Sequence, residues 1–226
     1  LLLGCLAITL GAFLFSSRAN ELAAERKFGE IAEESLQNLD ARMNTYLQGL
    51  NGVAAFLNAS DEVTERDFAH YVETLEIDRL LPNINGIGFI APVGPGEESA
   101  FLAEVASLGI RDFRIHPITG NAERMVVKHI HPLEPNAEAL GLDLSYSEDR
   151  RQTVLSALRS AEPRLSPRIY LVQGEERREG FLLLRPVFAE GQEITVGPTS
   201  RPSQTEGFLG WVYAPFVAEA FLSDLS

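Results

Sequence analysis

The chain has 226 residues, 45% hydrophobic and 23% charged, which suits one large domain or two small ones with real cores rather than a disordered tail. A net charge of −13 argues against nucleic acid as a partner, because binding phosphates needs clustered Lys and Arg. The one cysteine, Cys5, lies in the first apolar run, so an intramolecular disulfide framework and a zinc–thiolate site are both excluded.

Leu1 to Phe15 carry no charge. About twenty such residues span a bilayer core, and a shorter run also suits a buried helix or a signal-peptide core. Phe13, Leu14 and Phe15 run straight into Ser16, Ser17 and Arg18 without the small-residue pattern of a cleavage site. We read residues 1–15 as part of a first, uncleaved transmembrane helix, with a signal peptide or a core helix as the alternatives. No initiator methionine precedes the run, so the chain is expected to be a piece of a longer protein.

From Ser16 to about Leu57 there is no proline, and Ala32, Leu36, Leu39, Met43, Tyr46, Leu50, Val53 and Leu57 recur at alternating steps of four and three. This heptad seam predicts a long stalk helix over residues 16–60. The seam pairs with a second copy of the chain, packs on the chain's own domain, or does each along a different stretch.

A second helix is predicted after Thr64, a candidate N-cap with Asp67 three residues on, followed by the stripe Phe68, Tyr71, Val72 and Leu75. Asn83 to Gly86 reads as a turn, Ile87 to Val93 as a strand, and a short helix through Val105 follows the breaker Gly94-Pro95-Gly96. Strands are predicted at Phe113–Ile118 and Met125–Leu133, and a helix at Glu148–Ser160 with Val154, Leu155 and Leu158 inward. Further strands are predicted at Arg168–Val172 and Gly180–Phe188, joined by the charged turn Gly174–Glu179. Gly191–Glu206 reads as a loop, Gly207–Phe216 as a last strand and Val217–Leu225 as the start of a helix. Helices first, then strands joined by short turns, argue for an α+β antiparallel sheet with a PAS-like arrangement of flanking helices.

Chemistry-bearing patterns are sparse. His129 and His131 alternate along a strand and share one face, where either a metal supported by Glu134 or a plain polar surface is compatible. No nucleophile elbow, phosphate-binding glycine loop or H-E-x-x-H helix occurs, so no catalytic residue, metal site or cofactor is assigned to this segment.

The stretch V-V-K-H-I-H-P-L-E-P, then G-L-D-L-S-Y-S-E-D-R, R-L-S-P-R-I-Y-L and G-F-L-L-L-R-P-V-F, is the distinctive part. Its order and spacing resemble the CHASE domain, the extracellular sensor of membrane histidine kinases and nucleotide cyclases, including plant cytokinin receptors. The resemblance extends from T-E-R-D-F-A-H-Y-V to the closing G-F-L-G-W-V-Y-A-P-F and makes residues 61–226 the sensor region. It implies a long stalk helix followed by tandem PAS-like antiparallel sheets, flanking membrane helices, a homodimer through the stalk, and a small-molecule ligand. It also implies a site on the periplasmic or extracellular side of a cell inner membrane, and a kinase or diguanylate cyclase elsewhere in the full-length protein.

Carried over residue by residue, the resemblance marks Asp149, Leu165, Leu171, Leu184 and Arg185 as ligand-binding positions. Asp149 matches the acid that binds adenine-type ligands in the plant receptors, and Leu171 a backbone contact. Leu165 and Leu184 stand where those proteins have pocket threonines, and Arg185 where they have an aromatic residue. These departures count against an adenine-type ligand. A buried Arg185 requires a carboxylate partner such as Asp149, or an anionic ligand, and otherwise reaches solvent. The rival readings are a dimerisation module without a ligand and an exterior enzyme.

Overall fold

The structure is a computed structural model describing residues 2–172, 178–191 and 193–223; side chains are described from residue 26 onward, except those of 78, 222 and 223. Helix α1 (Leu2–Asn58) opens the chain. The chain divides into two compact units, one the helical segment up to Met43, the other Asn44–Asp224. In the first unit Phe28, Ile31 and Leu36 are exposed apolar side chains. In the second, Tyr46, Leu50 and Val53 of the same helix are buried. Within the second unit the heptad seam is covered by the chain's own domain. The apolar run Leu1–Phe15 lies outside the described side chains, and among the described residues no helix is long and apolar enough to cross a membrane.

Helix α2 (Glu65–Thr74) starts as its sequence demands: Thr64 caps the Asp67 backbone N–H, and the Asp67 carboxylate receives the Thr64 N–H in return. A one-turn helix α3 (Ile77–Leu80) leads into the turn before strand β1 (Ile87–Val93). Then come α4 (Glu98–Ser107), β2 (Arg124–His131), two short 3₁₀ turns (Glu134–Ala139 and Leu144–Tyr146) and α5 (Glu148–Ser160). The two-residue strands β3 (Arg164–Leu165) and β4 (Ile169–Tyr170) precede the long strands β5 (Glu179–Phe188) and β6 (Phe208–Val217), and α6 (Ala218–Ser223) follows.

All described strands join one six-stranded sheet in the order β2-β1-β6-β5-β3, with β4 also on β5. Every pairing is antiparallel. The fold is therefore α+β: a long N-terminal helix and an antiparallel sheet with flanking helices. The implied tandem lobes have no counterpart in two sheets among the described residues, because β1 bonds to β2 on one side and to β6 on the other.

Two local expectations change. Phe113–Ile118 is no strand but an irregular segment, with Asp112 at φ 55 and Pro117 without an N–H; a single bridge ties His116 to Leu142. The strand expected at Arg168–Val172 shrinks to Ile169–Tyr170, since Pro167 interrupts the edge next to β5. There the Ser166 hydroxyl accepts the Leu182 N–H at 2.9 Å, so Ser166 bridges β3 and β4 along the same edge. The charged turn Gly174–Glu179 and the end of the C-terminal helix lie largely outside the described residues.

Side chains alternate between the two faces of a strand. One face carries Ile90, Val127, Ile130, Leu182, Leu184, Trp211 and Tyr213 against Val154, Leu155 and Leu158 of α5. The Trp211 indole N–H donates to the Val154 carbonyl at 2.9 Å, tying α5 to β6. The other face meets the end of α1 and α2: Tyr46 stacks edge-on to Phe216 at 4.7 Å, and Phe68 lies over His129 at 5.0 Å.

Candidate ligand-binding site

Helix α5 decides what the first face presents. Arg150, Val154, Ala157 and Leu158 fall on one stripe at helical spacing, and all four are buried. Arg150 is 4% exposed, whereas its neighbour Asp149 points to solvent. The E-D-R motif therefore directs its arginine, not its aspartate, onto the sheet.

The G-L-D motif holds the floor of the same region. Asp143, fully buried, accepts hydrogen bonds from the Met125 and Ser145 backbone N–H groups, the Ser145 hydroxyl at 2.7 Å and the Thr119 hydroxyl at 3.2 Å. Gly141 adopts φ +80, and a Cβ there would sit 2.0 Å from the Arg114 carbonyl oxygen, so only glycine lets the irregular segment approach. The motif is a clamp that positions Leu142 and Leu144.

Between these parts lies a narrow apolar cavity. Val127, Leu144, Leu171 and Leu182 line it together with Arg150 and Tyr213, and its free volume is about 10 Å³, room for about one water. Leu142 and Val172 line both this cavity and an open groove of about 630 Å³, whose rim carries Asp112, Arg114, His116, Glu138 and Tyr146. Tyr213 is set by Gly88 on the neighbouring strand: a Cβ at Gly88 would stand 2.4 Å from the Tyr213 ring.

The polar groups of the cavity are under-satisfied. One Arg150 guanidinium N–H donates to the Tyr170 carbonyl at 2.5 Å, and the Tyr146 ring lies 5.3 Å away in a cation–π contact. Among the described residues no carboxylate pairs with Arg150. Burial works against its charge and lowers its pKa. The Tyr213 hydroxyl has no hydrogen-bond partner, and burial pushes its pKa far up, so it remains a protonated O–H.

The five positions marked in the sequence do not come together. Leu171 lines the cavity, and Leu184 is fully buried in the surrounding apolar cluster. Asp149 and Leu165 share a separate shallow depression of about 230 Å³ on the outside of α5 and β3. Arg185, one residue after Leu184, points to the opposite face of the sheet. It is half-buried with its Nε unpartnered, and no described carboxylate pairs with it. Arg150 and Tyr213 were missed, although the 150/154/158 spacing on α5 and the 211/213 alternation on β6 both place them inward.

His129 and His131 face α2, where His129 meets Glu65 at 3.2 Å and His131 meets Glu73 at 3.7 Å. Among the described residues no group of three potential ligands could hold a metal.

A long helix and a helix-flanked antiparallel sheet with a small cavity beside it define an α+β domain. The chain belongs to the CHASE domain family: the family model matches residues 61–226, and CHASE domains are extracellular sensory modules. Two solved structures share the fold. One is an extracellular ligand binding receptor from Desulfohalobium retbaense, with 16% identity over 85% of this chain and a TM-score of 0.52. The chain spans only 25% of that receptor. The other is the ligand binding domain of the Pseudomonas aeruginosa PAO1 amino acid chemoreceptor PctC in complex with GABA, with 14% identity, a TM-score of 0.53, and 90% of this chain and 68% of that one covered. No curated protein matches the chain.

Proposed function

We propose that the chain is the ligand-sensing domain of a bacterial transmembrane receptor and that its ligand enters the cavity under α5 from the adjoining groove. The observation that carries this reading is the cavity itself, where two buried polar groups, Arg150 and Tyr213, stand without full partners among apolar walls. Folded proteins satisfy buried polar groups, and functional sites are where exceptions concentrate. The chemoreceptor domain with GABA provides a precedent for a small ligand on this fold.

Residues 1–15 are the end of a membrane helix in this reading, residues 16–60 a stalk, and residues 61–226 the sensor region on the periplasmic side of the inner membrane. Phe28, Ile31 and Leu36 are the exposed apolar side chains through which the stalk pairs with a second copy. Ligand binding changes signalling only through different affinities for two states of the domain. The receptor's output is a histidine kinase or diguanylate cyclase. Thermal-shift screening of the purified chain against metabolite pools tests the reading. The expected result is a compound that raises the melting temperature of wild type but not of Leu171→Trp, which fills the cavity. A screen without a stabilising compound favours a dimerisation module, and turnover of a compound favours an exterior enzyme.

A further inference from the structure

We propose that the cavity under α5 recognises a small organic monocarboxylate. Its carboxylate is held by the Arg150 guanidinium and the Tyr213 hydroxyl, and its apolar body lies against Leu144, Leu171 and Leu182. The proposal deepens the sensor reading and rests on it.

Arginine presents five N–H donors in a fixed fork, and here one of them has a described hydrogen bond, to the Tyr170 carbonyl. A buried charge without a counter-ion is costly, and the first turn of α5 adds the unfavourable end of the helix dipole to that cost. The Tyr213 hydroxyl, buried and without a partner among the described residues, lines the same cavity. A cationic fork and a free O–H with no acceptor between them complement an anionic acceptor, and a carboxylate fits the fork through two parallel hydrogen bonds.

The rest of the lining narrows the class. Apart from Arg150 and Tyr213 the cavity walls are Val, Ala and Leu side chains. Among the described residues no lining carboxylate awaits an ammonium group, which disfavours a zwitterionic amino acid. A phosphate dianion would leave a second charge uncompensated among apolar walls. A free volume of about 10 Å³ does not admit such a ligand as it stands, so binding displaces Leu142 and Val172, the shared wall between cavity and groove. That displacement is the movement a sensor can use.

Isothermal titration of the purified full chain with butyrate, 3-methylbutyrate and benzoate, with their three amides and with 4-aminobutyrate, tests the proposal. At least one acid is expected to bind, with its amide and, for butyrate, the 4-amino compound weaker by about tenfold or more, as expected for loss of a charge-assisted pair. Arg150→Met is expected to lose about a hundredfold or more in affinity, Arg150→Lys less, and Tyr213→Phe roughly threefold to tenfold. Circular dichroism of each variant verifies its fold. Equal binding of acid and amide, or unchanged binding in Arg150→Met, overturns the proposal. If no acid binds but a neutral or cationic compound does, and Leu171→Trp blocks it, the carboxylate assignment falls while the sensor reading stands. If no compound from the metabolite pools binds either, both fall.

Discussion

The two faces of the sheet are built to different standards. On the face covered by the end of α1 and by α2, polar groups find partners. Tyr46 donates to the Pro82 carbonyl at 2.6 Å, Tyr71 to the Gly52 carbonyl at 2.9 Å, and His129 meets Glu65. The exception is Arg185, which is half-buried. On the face covered by α5, the fully buried Tyr213 hydroxyl has no partner and Arg150 faces no carboxylate among the described residues. Apart from Arg185, one face is a scaffold that pairs its polar groups, and the other holds donors in reserve at a cost to stability. That contrast supports the proposed site more strongly than any short motif does.

The largest expected effect tests whether the reserve depends on a rigid surround. Asp143→Ala removes the acceptor of four hydrogen bonds beneath the cavity and strands buried N–H groups, so urea unfolding is expected to show a loss of about 3–5 kcal/mol. A loss below 1 kcal/mol would mean that the clamp is dispensable.

The same chemical change on each face should then give opposite results. Tyr46→Phe strands the Pro82 carbonyl and is expected to cost about 1–2 kcal/mol in the same assay. Tyr213→Phe removes a hydroxyl that bonds to nothing and is expected to be neutral or stabilising. Equal costs would erase the distinction between the faces.

The capping box of α2 supplies a smaller effect on the scaffold side. Thr64→Ala is expected to cost about 1 kcal/mol, as loss of an N-cap usually does. The Asp67 carboxyl is held below its ordinary value of 3.8 by the Thr64 side-chain hydrogen bond first and the Thr64 backbone N–H second. Its folded pKa is depressed, so its contribution is present above the ordinary carboxylate range and is lost as pH falls through the lowered value. Asp67→Asn should therefore flatten the acid limb of a stability-versus-pH curve, lowering stability at neutral pH and converging with wild type as the pH falls through the lowered value.

Much of the fold was legible because local chemistry and global packing agree. The expected Glu148–Ser160 helix and Ile87–Val93 strand match α5 and β1 residue for residue. Strand β3 was not, and β4 was visible only as part of the longer expected strand Arg168–Val172, since two-residue edge pairings leave almost no periodic signal. Phe113–Ile118 misled because its apolar alternation suits a strand, while Pro117 and the Gly141 contact hold it as an irregular segment. The site was half legible. Family positions drew attention to Asp149 and Arg185, while helical spacing within the same E-D-R motif puts Arg150 inward. What no pattern could reveal is that no described carboxylate pairs with Arg150, because that depends on every element packed around it.

The most direct test of the central claim is the unfolding free energy of Arg150→Met in the absence of any added ligand. If Arg150 is held for a ligand rather than for the fold, removing its unpaired charge leaves stability unchanged or raises it by about 1–2 kcal/mol. A loss of about 3–5 kcal/mol, as when one partner of a buried ion pair is deleted, would show that Arg150 serves the fold and would contradict the account.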